Sequence, residues 1–555
     1  MNPSVFLLIG TWMVVSIVIA CPIVATHVWL RWRNETDEKT LVALPLVVAG
    51  LLAYVSAIAY FLMPFVGRCF ALSATLGCAL YAGRTMWKCH RPQVDGLRLP
   101  ATLALLLGLL YLGLLYLPLL DRPYSSQSAI RFTHELPMDP LLPAIMGDRL
   151  FAGEPLRPFV GGGWSSSDRP PLQTGFYLFV LPSTRLLGLP DGLAYQCVAT
   201  LAQLFWVPAA WLIVRALCRN RFQAALTVLI VATIGFFVVN SVYVWPKLLG
   251  AAFVTLSALL LFERSSARSG HYLLLATAAA VLGWLAHGSA AFSILAIAPI
   301  WLIRGCPGHK LLIVAIPLAV IIAAPWIYYQ KICDPPGDRL IKWHLAGVIP
   351  VDSRSASEVL GSAYAALSWE QWIAARKANF TTLFGGSLVS IGDFFTTRSS
   401  SRRIEEFFFF FRAMGVLNLV WLVWPLVWCF RRRPLASPHL FCGLLSWLIL
   451  TLGIWITLMF IPASTVLHQG SYAAMLVACV LGTVLLLDLP PYLKGVFLVW
   501  HIAYFSATWL FYFGSARTTP GMLPLIGLTS LALGLAVRWA RRVDTRHLVS
   551  AERSS

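Results

Sequence analysis

Glu135 and Asp139 stand four residues apart in the stretch His134-Glu135-Leu136-Pro137-Met138-Asp139. On one helical turn both carboxylates would share a face, although Pro137 argues against a continuous helix there. A carboxylate in such a place can accept the proton of an attacking hydroxyl or amine, or hold a divalent cation. The plain alternative is a pair of solvated loop acids. A little further on, Trp164-Ser165-Ser166-Ser167-Asp168-Arg169-Pro170-Pro171-Leu172 presents a second acid beside a base. Each residue ahead of a proline is pushed towards extended backbone, so the two prolines stiffen the chain and fix where Asp168 and Arg169 point. A proline-rich breaker ahead of a helix would have the same composition.

Three short polar tips could answer these acids. Tyr243-Val244-Trp245-Pro246-Lys247 ends one apolar run and begins the next, and His287-Gly288-Ser289 and His468-Gln469-Gly470-Ser471-Tyr472 do likewise. Lys247 among aromatics suits a lipid phosphate, and glycine beside histidine lets backbone N–H groups approach an anion. Taken singly, each is also what a snorkelling lysine or a polar helix cap looks like. Taken together, Lys247, His287 and His468 could converge on an anionic headgroup facing the acidic segment.

The elements that must position these residues are membrane helices. A chain of 555 residues that is 59% hydrophobic and 12% charged is not a soluble globular protein. Its +19 formal charge reports membrane topology before it reports a nucleic-acid partner, and no nucleic acid is expected. The eleven cysteines show no paired spacing and read as small apolar residues. The apolar N-terminus, with no basic leader and no clear cleavage site, reads as a retained first span.

The expected fold is all-α: a polytopic transmembrane bundle of about fifteen spans, in the range 13–16, near 4–30, 41–63, 67–84, 99–120, 194–215, 222–241, 247–262, 272–286, 289–303, 311–329, 412–430, 438–461, 471–487, 495–513 and 521–538. With the N-terminus outside, one side collects 23 basic and 8 acidic residues and the other 19 and 15, so the first is cytoplasmic. Both large loops, 121–193 and 330–411, are then extracytoplasmic. Phe176 to Leu189, broken by Pro182 and carrying Arg185, reads as a juxtamembrane helix lying at the surface. Ser357 to Lys377 has the spacing of one amphipathic surface helix. The organisation expected is three accessory helices in 1–98, a catalytic core in 99–475, C-terminal helices in 476–538 and a basic cytoplasmic tail in 539–555. No Asp or Glu falls deep inside an expected span, which counts against an ion-coupled transporter.

Over roughly residues 99–475 the chain resembles the GT-C superfamily of membrane glycosyltransferases, which includes protein O-mannosyltransferases and the transferases that add aminoarabinose to lipid A. The resemblance rests on an acid early in the first large outer loop (Asp139, or Glu135), on Asp168-Arg169-Pro170-Pro171-Leu172 ahead of the helix of that loop, and on the tips at Trp245-Pro246-Lys247 and His287-Gly288-Ser289. His468-Gln469-Gly470-Ser471-Tyr472 is similar to a pattern of bacterial members. The resemblance implies a polyprenyl-phosphate-linked sugar as donor and a lipid, glycan or protein hydroxyl as acceptor. It implies an outer-loop carboxylate as general base (Asp139, with Glu135 and Asp168 as alternatives) and inversion at the anomeric carbon. Lys247, His287, Arg169 and His468 would contact the donor phosphate. A bacterial inner membrane, with the site facing the periplasm, is the expected location; a eukaryotic reticulum membrane would have the same topology. The acids are spaced E-x-x-x-D instead of adjacent, and His287 stands where relatives carry lysine, so both the base and a divalent cation stay open. A polysaccharide polymerase or ligase, and a lipid-linked glycan flippase, are the competing readings.

Overall fold

The computed structural model describes residues 2–88, 95–131, 137–160, 164–263, 269–306, 308–384, 414–415, 417–423, 435–460, 472–509 and 517–554. Among the described residues the chain is built of helices, with no strand beyond two isolated bridges, Pro118 with Thr518 and Val160 with Trp164. In chain order they are α1 (Val5–Trp32), α2 (Glu38–Leu62), α3 (Pro64–Lys88), α4 (Asp95–Tyr116), α5 (Gln127–Ile130), α6 (Leu142–Ala152), α7 (Leu172–Leu186), α8 (Asp191–Gln203), α9 (Trp206–Cys218), α10 (Arg221–Ala232), α11 (Gly235–Tyr243) and α12 (Lys247–Phe262). There follow α13 (Ser269–Ala286), α14 (Ala290–Ile303), α15 (Leu312–Tyr328), α16 (Arg339–Ala346), α17 (Ala356–Ala365), α18 (Trp369–Phe384), α19 (Leu417–Leu422), α20 (Pro438–Leu458), α21 (Tyr472–Leu487), α22 (Pro491–Trp509) and α23 (Met522–Ser554).

Local chemistry sets many of the starts. Ser4 accepts from the amide of Leu7 at 3.2 Å, Asp37 from Thr40 at 2.9 Å and Asn220 from Gln223 at 2.9 Å, each meeting one of the donors that a helix N-terminus leaves unmade. Packing then sorts the helices. Every residue of α21 is buried, as is nearly all of α7, α8, α9 and α12. By contrast α3 and α15 display apolar side chains such as Leu76, Leu80, Ile313 and Ile321. An apolar perimeter of that kind suits lipid and not water.

Eight of the described helical segments are long and apolar enough to cross a membrane, or nine if α10 and α11 make one span bent by 72°. Four of the expected spans are shorter apolar helices, 247–262, 270–286, 290–303 and 472–487. Segment 194–215 is divided between α8 and α9. The bend after α10 falls where Thr233 Oγ1 donates to the carbonyl of Ile230 at 2.8 Å, competing for an acceptor of the helix ladder.

Two expectations for the loops need correcting. Phe176 to Leu189 is not a helix laid along the surface: α7 is buried from Leu172 to Pro182, where it packs against α2, and only its C-terminal end, Arg185 to Gly188, is exposed. The close approach depends on Gly175, where an added Cβ would come within 2.2 Å of the Ala53 carbonyl oxygen. Buried polar groups of α7 are also met, with Thr174 Oγ1 donating to Pro143 O and Gln173 to Val244 O. Ser357 to Lys377 is two helices instead of one. Ser368 starts the second, exchanging bonds with Gln371 in a reciprocal cap (Gln371 N to Ser368 Oγ 3.2 Å, Ser368 N to Gln371 Oε1 2.9 Å).

The basic loops meet at one end of the bundle. There Lys39 pairs with Glu263 at 3.3 Å, Arg215 with Glu38 at 2.9 Å, and Asp544 accepts from the amide of Phe222 at 2.8 Å. The tips at Lys247 and His287 and the described parts of the two long loops meet at the other.

Candidate functional site

Asp139 opens a 3-10 turn, Asp139–Leu141, that leads into α6. Arg169 Nη2 donates to its Oδ2 at 2.7 Å, and the Tyr243 hydroxyl lies 3.2 Å from its Oδ1 and also donates to the carbonyl of Pro137. Arg169 is fully buried, and its guanidinium lies over the ring of Trp164 at 4.5 Å and near that of Trp245 at 5.9 Å. Burial pulls the guanidinium below its ordinary value while Asp139 and Asp168 act against that; it stays charged.

Lys247 begins α12, and its Nζ sits 3.3 Å above the centre of the Trp245 ring and 5.1 Å from that of Tyr472. The turn that delivers it is held under strain. Val244, a β-branched residue, has φ +54°, a left-handed conformation costing about 1–3 kcal/mol. Glutamines from the two neighbouring helices hold it there. Gln173 donates to Val244 O and Gln196 to Val242 O, each at 2.8 Å; Gln203 donates to Gln173 Oε1 at 2.8 Å and accepts from Leu249 N at 3.1 Å.

His287 lies against Trp245, with ring centres 6.2 Å apart, and its Nδ1 bonds to Ser289 Oγ at 2.8 Å. Burial first, then the charges of Lys247 and Arg169, hold its imidazole well below the usual histidine range. It is therefore a neutral donor or acceptor near pH 7.

The second long loop supplies a side that the local spacing of the first did not reveal. Arg339, the first residue of α16, donates to Asp168 Oδ2 at 2.9 Å and lies over Trp164 at 5.1 Å, so Trp164 faces two guanidiniums. Burial raises the Asp168 carboxyl, opposed by the Ser165 amide and by Arg339. His344, stacked on Trp343 at 5.3 Å, is pushed down to about 4, by burial first and then by Lys247 and Arg169. Asp334 clasps the first loop, accepting from Ser166 Oγ at 2.6 Å, Ser167 N at 2.8 Å and Arg157.

Of the residues singled out by sequence, Asp139, Arg169, Lys247 and His287 come together. Asp168 is close by, but its carboxylate is spent on the Ser165 amide and Arg339, which makes it a holder of the loop. Glu135 and His468 lie outside the described residues. Arg339, His344 and the three glutamines were not expected to serve the site, and Trp164 and Tyr243 stood in the quoted stretches without a stated contact to Asp139 or Arg169. The one cue in sequence was the density of Arg339, Lys342, Trp343 and His344 within one short helix.

In comparisons with known proteins, no family model, curated protein or solved structure matches the chain. Among the described residues no three of His, Cys, Asp and Glu gather as a metal site would require, and the acids here are paired with arginine. What the site offers is one carboxylate beside a buried guanidinium and a buried lysine amine, two neutral imidazoles and an aromatic wall. It can bind a singly charged anion and accept a proton next to it.

Proposed function

We propose that the chain is an integral-membrane glycosyltransferase. It moves a sugar from a polyprenyl-phosphate donor to a hydroxyl of a lipid, glycan or protein acceptor on the extracytoplasmic face, in a bacterial inner membrane. The observation that carries this reading is the buried Arg169–Asp139 pair beside Lys247, at the end of a bundle whose helices are long enough to cross a membrane. Arg169 and Lys247 together carry more donors than the Asp139 carboxylate can use, which suits the oxygens of a phosphodiester.

The donor's isoprenoid chain would lie among the apolar helices and its phosphate against Lys247, Arg169 and the His287 ring. The phosphate would draw Arg169 towards itself, leaving an Asp139 oxygen to take the proton of the acceptor hydroxyl. The hydroxyl oxygen then bonds to the anomeric carbon as the bond from that carbon to the phosphate oxygen breaks. The electron pair leaves with the polyprenyl phosphate, whose new charge Lys247 and Arg169 stabilise. Attack opposite the leaving phosphate gives inversion.

A second reading draws on Arg169 and Arg339 flanking Trp164: a polysaccharide ligase or polymerase would use such arginines on a lipid-linked glycan. The deciding experiment reconstitutes the protein in liposomes with labelled polyprenyl-phosphate sugars and compares it with Asp139→Asn. Single-sugar transfer that collapses in Asp139→Asn while donor binding persists supports the transferase. Transfer of preassembled glycans alone supports the ligase. Donor translocation with no transfer would sink both in favour of a flippase.

A further inference from the structure

The helix α18 carries an exposed apolar stripe outside the site. Its inward face is fixed to the end of α20. Arg376 donates to the carbonyls of Thr457 and Met459, the latter at 2.6 Å, and Asn379 Nδ2 donates to Ile456 O at 2.9 Å and Met459 O at 2.7 Å. The Tyr364 hydroxyl adds a bond to Leu458 O at 3.2 Å, and His344 O accepts from Phe460 N at 2.9 Å. These carbonyls are the ones that a helix C-terminus leaves without partners. Side chains of the second long loop meet them, so α18 is held at the level where α20 ends. The 21-residue α20 is among the helices long and apolar enough to cross a membrane, and a helix that does so brings its end to the bilayer surface.

At 100° per residue, Trp369 and Ile373 fall within about 40° of each other on α18, and Phe380 falls between them. They are 70%, 45% and 53% exposed, and Trp369 stacks on Trp372 at 5.1 Å. Gln371 occupies the far side, Lys377 and then Glu370 border one edge of the stripe, and Arg376 flanks the other. Tryptophan and phenylalanine beside a lysine, on a helix at the mouth of a span, are the composition of a bilayer interface. The lysine stem can follow the apolar surface and place its charge among phosphates. A second copy of the chain fits less well. Three side chains supply a few hundred Å², against roughly 800 Å² per partner in a stable complex.

We propose that α18 lies in the plane of the membrane surface and inserts Trp369 and Ile373 into lipid, on the side that carries Asp139 and Arg169. The anchoring holds the second long loop, and with it Arg339 and His344, against the end of the bundle.

The test replaces Ile373 with a photo-crosslinking benzophenone amino acid in the full chain, reconstituted in phosphatidylcholine–phosphatidylglycerol vesicles. Parallel replacements at Val320, on the apolar perimeter, and at Gln371, on the polar stripe of α18, serve as references. Mass spectrometry after irradiation should find lipid adducts at 373 comparable with those at 320, and at least fivefold fewer at 371. Crosslinks from 373 to a second copy of the chain would overturn the proposal. So would adducts at 320 with none at 373, or equal adducts at 371 and 373. The readout needs no catalytic activity, so it stands or falls apart from the transferase reading.

Discussion

Arg169 and Asp139 form a nearly dry ion pair, 2.7 Å between Nη2 and Oδ2, with their side chains only 5% and 10% exposed. The two residues lie thirty positions apart in sequence, and the Pro170-Pro171 rod on one side and the 3-10 turn on the other bring them together. Removing one partner strands a buried charge and costs about 3–5 kcal/mol. Arg169→Met should therefore lower the melting temperature of the purified protein sharply, and Arg169→Met with Asp139→Leu should recover much of the loss. Both forms should be inactive in sugar transfer. A double variant no more stable than the single one would show that the pair is not the stabilising unit.

Lys247 should behave as a phosphate ligand and not as a structural lysine. Lys247→Gln keeps a polar side chain on α12 but removes the charge. It should weaken binding of a polyprenyl-phosphate sugar at least tenfold while changing thermal stability little, since a buried cation contributes desolvation cost as well as contacts. Titration of donor in nanodiscs would measure it, and unchanged affinity would remove Lys247 from the site.

Acid should loosen the protein through His344. Its folded-state value of about 4 lies below the ordinary histidine value of about 6.5. Between those two pH values the unfolded chain binds a proton that the folded chain does not. Stability is therefore present in full above about pH 6.5 and falls as pH drops towards 4. Melting curves across that window should slope for the native protein, and the slope should shrink in His344→Gln.

The clasp between the two long loops has a lower acid limit. Asp334 is held below the usual carboxylate range by its bonds from Ser166, Ser167 and Arg157, which together outweigh its burial. Its contribution is whole above about pH 4 and is lost as pH falls through the depressed folded value. Asp334→Asn should raise proteolytic cleavage within 157–169 and 330–340 severalfold at pH 7, and the difference should shrink only as pH falls through the depressed folded value. Equal cleavage of both proteins at pH 7 would show that this carboxylate does not hold the loops.

Gly175→Ala should be costly. Its Cβ would meet the Ala53 backbone at 2.2 Å, so α7 and α2 would have to separate, at about 1–3 kcal/mol. Gly77→Ala in α3, where the added atom meets nothing within 4 Å, is the control and should be neutral or mildly stabilising. Denaturation of both variants in the same detergent provides the comparison.

Much of this protein was legible in its sequence. Long apolar runs broken by short polar tips dictate helices, because in an apolar medium every backbone group must be bonded within its own segment. The acids and bases in those tips announce where chemistry can sit, and Asp139, Arg169, Lys247 and His287 could all be named from them. Tertiary structure decided the rest. Whether α7 floats on the surface or packs inside depends on Gly175 meeting the backbone of a helix more than a hundred residues earlier, and no local pattern encodes that contact. Asp168 could not be told from Asp139 by type or neighbourhood. Only the fold reserves one for Arg339 and leaves the other beside Lys247. Arg339 itself lies about two hundred residues from Asp139, and the cluster of Arg339, Lys342, Trp343 and His344 does not say which loop it faces. Local sequence sets how each segment bonds to itself; which segments touch is settled by the packing of all of them at once.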